Sequence, residues 1–132
     1  ETLAADIMGR HGIRAGNVVA HSDIAPGRKI DPGEKFDWAR LAKSGIGHWV
    51  TPAQASDIDS AVPRGESGQR ARTVQEALAA YGYWIAPNGT NDNWTATVVA
   101  AFQRRFRPGR VDGRIDASTV DTLNRLLKSA GD

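Results

Sequence analysis

The sequence predicts a mostly α-helical chain of two units: a partial α/β unit at residues 1–50 and a three-helix unit at residues 70–132. Apolar residues recur at helical spacing in both units, which indicates helices packed on a core. One short apolar run, at residues 18–20, predicts the only strand, at residues 17–20. A stretch rich in proline, glycine and serine at residues 51–69 predicts a linker between the units.

The first unit is predicted to contain a helix, one strand, a loop with potential metal ligands, and a short helix. Apolar residues at helical spacing mark the first helix, and Gly12 is its predicted stop. Asn17 to Ala20 predict a buried strand with His21 at its end, and residues 22–35 predict a loop. Asp37 can cap the short helix that follows. A lone strand leaves its backbone groups unpaired, so we expect the rest of the sheet to lie outside this sequence.

The second unit contains a weak internal repeat with an offset of 24 residues. Before it, the capping-box pattern Thr73-x-x-Glu76 predicts the start of a helix that Gly82 ends. Each copy of the repeat then consists of a turn, a helix cap and a helix with one apolar face. The matched pairs are Asn88-Gly89 with Asp112-Gly113, Asp92 with Asp116, Thr95 with Thr119, Val99 with Leu123, and Phe102 with Leu126.

Composition excludes several classes of site. The chain has no cysteine, so disulfides, thiolate ligands and a cysteine nucleophile are excluded. Its 17 basic and 15 acidic residues give a net charge of +2, which argues against a nucleic-acid-binding surface. The arginine cluster at residues 104–114 is predicted to be a solvated helix end and loop. No apolar run approaches the ~20 residues that a membrane span needs.

The segment His21–Gly33, which reads H-S-D-I-A-P-G-R-K-I-D-P-G, combines side chains suited to hydrolytic chemistry. Imidazole and carboxylate are ligands of catalytic zinc, which makes His21 and Asp31 candidate metal ligands. Lys29 can stabilise negative charge that develops on a substrate, and is the candidate catalytic residue. A catalytic zinc usually has three protein ligands, and this loop supplies two.

This segment, followed by Phe36-Asp37-Trp38, resembles the C-terminal part of the zinc N-acetylmuramoyl-L-alanine amidase family (amidase type 2). The resemblance covers about residues 1–50. It implies a Zn²⁺ enzyme that cleaves the amide between N-acetylmuramic acid and L-alanine. It places His21 and Asp31 on the family's second and third zinc ligands. It also places Lys29 on the basic residue that assists the tetrahedral intermediate.

Two parts of that family's active site have no counterpart in the sequence: the first zinc-binding histidine and the glutamate that acts as general base. We therefore expect the chain to be a fragment of a two-domain amidase and to be catalytically inert, or nearly so, alone. The missing N-terminal part of the amidase domain is then an expected partner of this chain.

The second unit resembles the peptidoglycan-binding domain type 1 family over roughly residues 70–128. The resemblance is carried by Gly82-Tyr83, Phe102-Gln103 and Val111-Asp112-Gly113. It implies a three-helix module that binds cell wall. Three aromatic residues near turns are candidates for stacking on sugar rings, with packing between helices as the favoured alternative: Tyr83, Trp84 and Trp94. Gln103 could bond either a ligand or a turn backbone.

The leading hypothesis is thus a peptidoglycan hydrolase that carries a wall-binding module and acts on peptidoglycan or muropeptides. One alternative is a non-catalytic peptidoglycan-binding protein, and another is a basic module that binds nucleic acid. An attached wall-binding module favours the cell envelope, periplasmic or secreted, as the location. A cytoplasmic recycling enzyme is the alternative.

Overall fold

The computed structural model describes residues 1–55 and 61–131, and the described chain is mostly α-helical, as predicted. Three helices lie in the first unit and three in the second, which confirms the three-helix prediction for the latter. The six helices are α1 (Thr2–His11), α2 (His21–Ile24), α3 (Trp38–Lys43), α4 (Gln69–Tyr81), α5 (Asn93–Phe106) and α6 (Ala117–Ala130). None of the helices within the described ranges is both long and apolar enough to cross a membrane.

The predicted strand at residues 17–20 is wrong. Ala15–Asn17 form a 3₁₀ turn, and His21 begins helix α2 instead of ending a strand. The backbone N–H of Ala20 donates to the Asp23 carboxylate at 2.9 Å, and that of Ser22 donates to the Asp31 carbonyl at 3.1 Å. Because these two N–H groups already have hydrogen-bond partners in a helix cap and a loop contact, they do not require pairing with a neighbouring strand. Isolated bridges are the only β pairing in the described chain.

The second unit packs α4, α5 and α6 around one apolar core, whose largest fully buried side chains include Phe102, Phe106 and Leu78. Helix α4 begins at Gln69, one turn before the predicted Thr73 cap, so that prediction is wrong. Thr73 instead accepts a hydrogen bond from Gln69, and Glu76 pairs with Arg72, both across one turn of the helix.

The internal repeat predicted from the sequence exists as a repeated set of hydrogen bonds. In the first copy, the buried Gln75 side chain accepts from the N–H of Gly89 and donates to the Thr90 carbonyl and the Thr95 hydroxyl. In the second copy, Gln103, which lies 28 residues after Gln75, makes the same three contacts. Its partners Gly113, Arg114 and Thr119 each lie 24 residues after those of Gln75. Each glutamine therefore ties the preceding helix to the turn that opens the next one.

Part of the predicted linker packs against α6. Ala53 is buried, its N–H donates to the Thr122 hydroxyl at 3.0 Å, and its carbonyl accepts from the Ser118 hydroxyl at 3.1 Å. Val62 pairs with Ile115 through an antiparallel bridge. Residues 56–60 of the predicted linker lie outside the described residues, and the boundaries at 50 and 70 remain predictions.

Candidate functional site

The two predicted metal ligands lie side by side. His21 is the first residue of α2, and Asp31 lies ten residues later in the loop. The Nδ1 atom of His21 is 3.2 Å from the Oδ2 atom of Asp31. Both side chains face solvent, with 46% and 64% of their surface exposed. The bond between the Ser22 N–H and the Asp31 carbonyl closes the base of the loop and fixes the spacing of the pair.

This donor pair fits a zinc ion in its chemistry and spacing. Zinc–nitrogen and zinc–oxygen bonds of about 2.1 Å at a tetrahedral angle separate two donors by about 3.4 Å. The observed 3.2 Å, at which the two atoms share a hydrogen bond, is close to that value. No group of three or more histidine and acidic side chains that could hold a metal occurs among residues 1–55 and 61–131. Within the described residues, the pair therefore has no third histidine or acidic side chain beside it.

Lys29 lies at the end of a tight turn between the two candidate ligands. Its N–H and that of Arg28 both donate to the Ala25 carbonyl, at 3.0 and 3.1 Å. The side chain of Lys29 is exposed, two residues before Asp31. Lys29 is thus an exposed residue of the segment that connects His21 to Asp31. The catalytic role of Lys29 remains a prediction.

The three candidate aromatic residues have different environments. Tyr83 is 6% exposed, and its hydroxyl donates to the Asp23 carboxylate at 2.6 Å. Burial and the neighbouring Asp23 carboxylate raise the Tyr83 pKa well above its usual value.

Trp84, in contrast, is 84% exposed. The Trp94 indole N–H donates to the Trp84 carbonyl at 3.0 Å, and the two rings meet edge to face at 6.0 Å. With Ile85 and Ala86 they line a shallow groove of about 410 Å³.

A buried ion pair joins the segment His21–Gly33, here called the candidate metal loop, to the second unit. The Asp23 carboxylate, on α2, accepts from the Arg105 guanidinium, on α5, at 2.8 Å. The arginine cluster at residues 104–114 was predicted to be solvated. That prediction is wrong for Arg105 and Arg107, which are 2% and 3% exposed. The burial of Arg105 could have been predicted from its position three residues after Phe102, on the apolar face of α5.

The chain is similar to known proteins both in sequence and in structure. Residues 67–123 match the family described as a peptidoglycan binding domain. The N-acetylmuramoyl-L-alanine amidase AmiD of Escherichia coli K12 is 41% identical over 129 residues, which are 98% of this chain and 46% of that protein. The structure of that amidase with anhydro-N-acetylmuramic acid-L-Ala-D-gamma-Glu-L-Lys has a TM-score of 0.76, with 39% identity over 98% of this chain and 50% of that one.

A second solved structure, AmpDh3 from Pseudomonas aeruginosa in complex with anhydromuramic pentapeptide, has a TM-score of 0.74 and 32% identity. This match covers 98% of the present chain and 50% of that one. The chain thus spans about half the length of the relatives it matches. Since nearly all of the chain aligns in sequence and in structure, it is a homologue of the C-terminal part of the AmiD-like N-acetylmuramoyl-L-alanine amidases and includes a peptidoglycan-binding domain.

Proposed function

We propose that this chain is the C-terminal part of a zinc-dependent hydrolase that cleaves the amide between N-acetylmuramic acid and L-alanine in peptidoglycan. The observation that carries the proposal is the His21–Asp31 donor pair, with its nitrogen and oxygen 3.2 Å apart on an exposed loop. The homology to AmiD supports the same reaction. The solved relatives hold anhydromuramyl peptides, and we propose that substrates of this class bind here too.

The proposed roles follow from the chemistry of the side chains. His21 and Asp31 would hold the zinc ion as neutral imidazole and carboxylate. When bound, the ion supplies Lewis-acid activation of water and of the amide carbonyl. Lys29 would place a positive charge near the oxygen that becomes negative in the tetrahedral intermediate. The remaining ligand and the general base are proposed to come from the N-terminal half of the amidase domain.

Zinc titration of the chain tests the first part of this proposal. We expect the wild-type chain to bind one zinc ion weakly, measured by competition with a chromophoric chelator. Loss of a supporting residue around a metal site typically weakens affinity by ~10- to 100-fold, and loss of a ligand costs at least as much. His21→Ala and Asp31→Ala should therefore each weaken zinc binding by on the order of 100-fold.

His11→Ala is the matched control, because His11 is an exposed histidine at the end of α1. It should bind zinc as the wild type does. Equal affinities for the wild type and the His21→Ala variant would refute the zinc site. In that case the alternative stands, a non-catalytic peptidoglycan-binding protein.

We further propose that the exposed tryptophan pair contributes to wall binding by stacking on sugar rings. Trp84 exposes a large flat ring, and the Trp94 hydrogen bond holds the backbone beside it. Rigid aromatic surfaces beside a shallow groove suit a polymeric glycan. We place the protein in the cell envelope on the same ground. Tyr83 is buried and donates to Asp23, so we do not include it in this exposed surface.

Trp84→Ala is expected to weaken binding to purified wall sacculi by about 10-fold, which corresponds to about 1.4 kcal/mol. Co-sedimentation of the chain with sacculi measures this. Phe36→Ala is the matched control, because Phe36 is a partly exposed aromatic residue of the first unit. A Trp84→Ala variant that sediments with sacculi as well as the Phe36→Ala variant does would remove Trp84 from the binding surface.

A further inference from the structure

Arg105 contacts four separate segments of the first unit. Besides its bond to Asp23, its guanidinium donates to the carbonyls of Val18 and His48, at 3.2 and 3.3 Å. The same group lies 4.0 Å from the centre of the Trp38 ring. All four partners belong to residues 1–50, whereas Arg105 belongs to the second unit. A single buried side chain thus holds these segments together.

Asp23 links Arg105 to the backbone next to His21. The Oδ2 atom of Asp23 accepts both from Arg105 and from the N–H of Ala20, the residue immediately before His21. Its Oδ1 atom accepts from Tyr83, which also belongs to the second unit. Two side chains of the second unit therefore fix the carboxylate that caps the first turn of α2. That turn carries His21, and the neighbouring Ser22 N–H bonds the Asp31 carbonyl.

We propose that Arg105 is a positioning residue for the metal site: through Asp23 it fixes the positions of His21 and Asp31. The wall-binding unit is then part of the scaffold of the active site as well as an attachment to the wall. This inference rests on the proposed zinc site, but the effect of Arg105 on the structure of the loop can be measured without metal. It predicts that the metal loop loosens when Arg105 is replaced, even if both units remain folded.

Arg107 offers a matched control on the same helix end. It is as buried as Arg105 and also pairs with a buried aspartate, Asp116. The partners of its guanidinium lie within the second unit: Asp116, Ser118, Asp112 and the Arg110 carbonyl. Arg105→Met and Arg107→Met each remove a buried charge, but only the first removes a contact to the metal loop.

The experiment compares these two variants of the 132-residue chain by zinc titration and by amide hydrogen exchange. We expect Arg105→Met to weaken zinc binding by ~10-fold, a typical effect of losing a supporting residue, and Arg107→Met to leave it within about 2-fold. In the metal-free chain, Arg105→Met should speed exchange at the Ser22 and Asp23 amides by ~10-fold relative to Arg107→Met. Leu123, in α6, should show no such excess.

Each result decides the question. Equal zinc affinities and equal exchange at Ser22 in the two variants would overturn the inference. If the wild-type chain binds no zinc, the zinc site fails, and exchange at Ser22 and Asp23 alone decides the role of Arg105. If Arg105→Met does not fold, Arg105→Lys and Arg107→Lys replace the methionine pair. Lysine keeps a charge near Asp23, so Arg105→Lys should retain more zinc affinity than Arg105→Met in any case where both fold.

Discussion

Replacing Asp116 with alanine is expected to destabilise the chain by about 3–5 kcal/mol, because it removes the nearest carboxylate from the buried Arg107 guanidinium. Asp116 is fully buried and forms ion pairs with Arg107 and Arg110. It also caps α6, accepting from the N–H of Thr119 at 2.8 Å and from its hydroxyl at 2.7 Å. Urea unfolding followed by circular dichroism measures the loss.

The equivalent residue of the other repeat copy, Asp92, supplies the control. Asp92 caps α5 through the same two contacts, to the N–H and hydroxyl of Thr95, and its other side-chain partner is the Asn88 amide. Asp92→Ala should therefore cost only the loss of a helix cap, about 0.5–2 kcal/mol. A cost for Asp116→Ala no larger than this would show that the ion pair to Arg107 adds no stability.

The same ion pair predicts how stability depends on pH. Burial alone would raise the pKa of the Asp116 carboxyl, but hydrogen bonds from Arg107, Thr119 and Arg110 outweigh it and hold the pKa well below its usual range. In the unfolded chain, this carboxyl takes up a proton near pH 3.9. Its stabilisation is thus complete above that pH and is lost as the pH falls towards the folded-state pKa. Asp116→Asn should flatten the loss of stability between about pH 5 and pH 2 relative to the wild type.

Sequence patterns predicted most of the second unit because its determinants are local. The offset of 24 residues placed both helix caps, Asp92 and Asp116, and both turns correctly. The start of α4 was missed, since the capping-box pattern fits Thr73 while the chain enters the helix through Gly68, which has a φ of 154°. Such a positive φ is adopted mainly by glycine, and glycine has no capping side chain that would mark the start of a helix in the sequence.

The first unit was harder to predict because its structure depends on contacts distant in sequence. The apolar run at residues 17–20 favoured a strand, but those residues are held by Asp23 and by Arg105, 87 positions beyond Val18. The proximity of His21 to Asp31 followed from family resemblance and not from spacing, since a histidine ten residues from an aspartate is common. Burial of Arg105 depends on a carboxylate that no local pattern connects to it.

Replacing Gln103 with leucine is expected to destabilise the chain by about 2–4 kcal/mol, because it leaves several backbone groups without partners. The Gln103 carbonyl oxygen accepts from the N–H groups of Asp112 and Gly113, at 3.0 and 2.8 Å. Its amide donates to the Arg114 carbonyl and to the Thr119 hydroxyl. The side chain thus bonds a turn backbone, which was one of the two roles that the sequence left open.

The turn cannot easily move to find water instead. A Cβ added at Gly113 would lie 2.8 Å from the Ala96 carbonyl oxygen, so this turn is pressed against α5. Leucine gains some burial of apolar surface, but each unpaired N–H costs about 1–3 kcal/mol. Gln69→Leu, at the exposed start of α4, is the control and should change the unfolding free energy by less than about 0.5 kcal/mol. Thermal and urea unfolding that gave the two variants equal stability would mean that the Gln103 contacts do not hold the turn, and that the repeat is maintained by its apolar core alone.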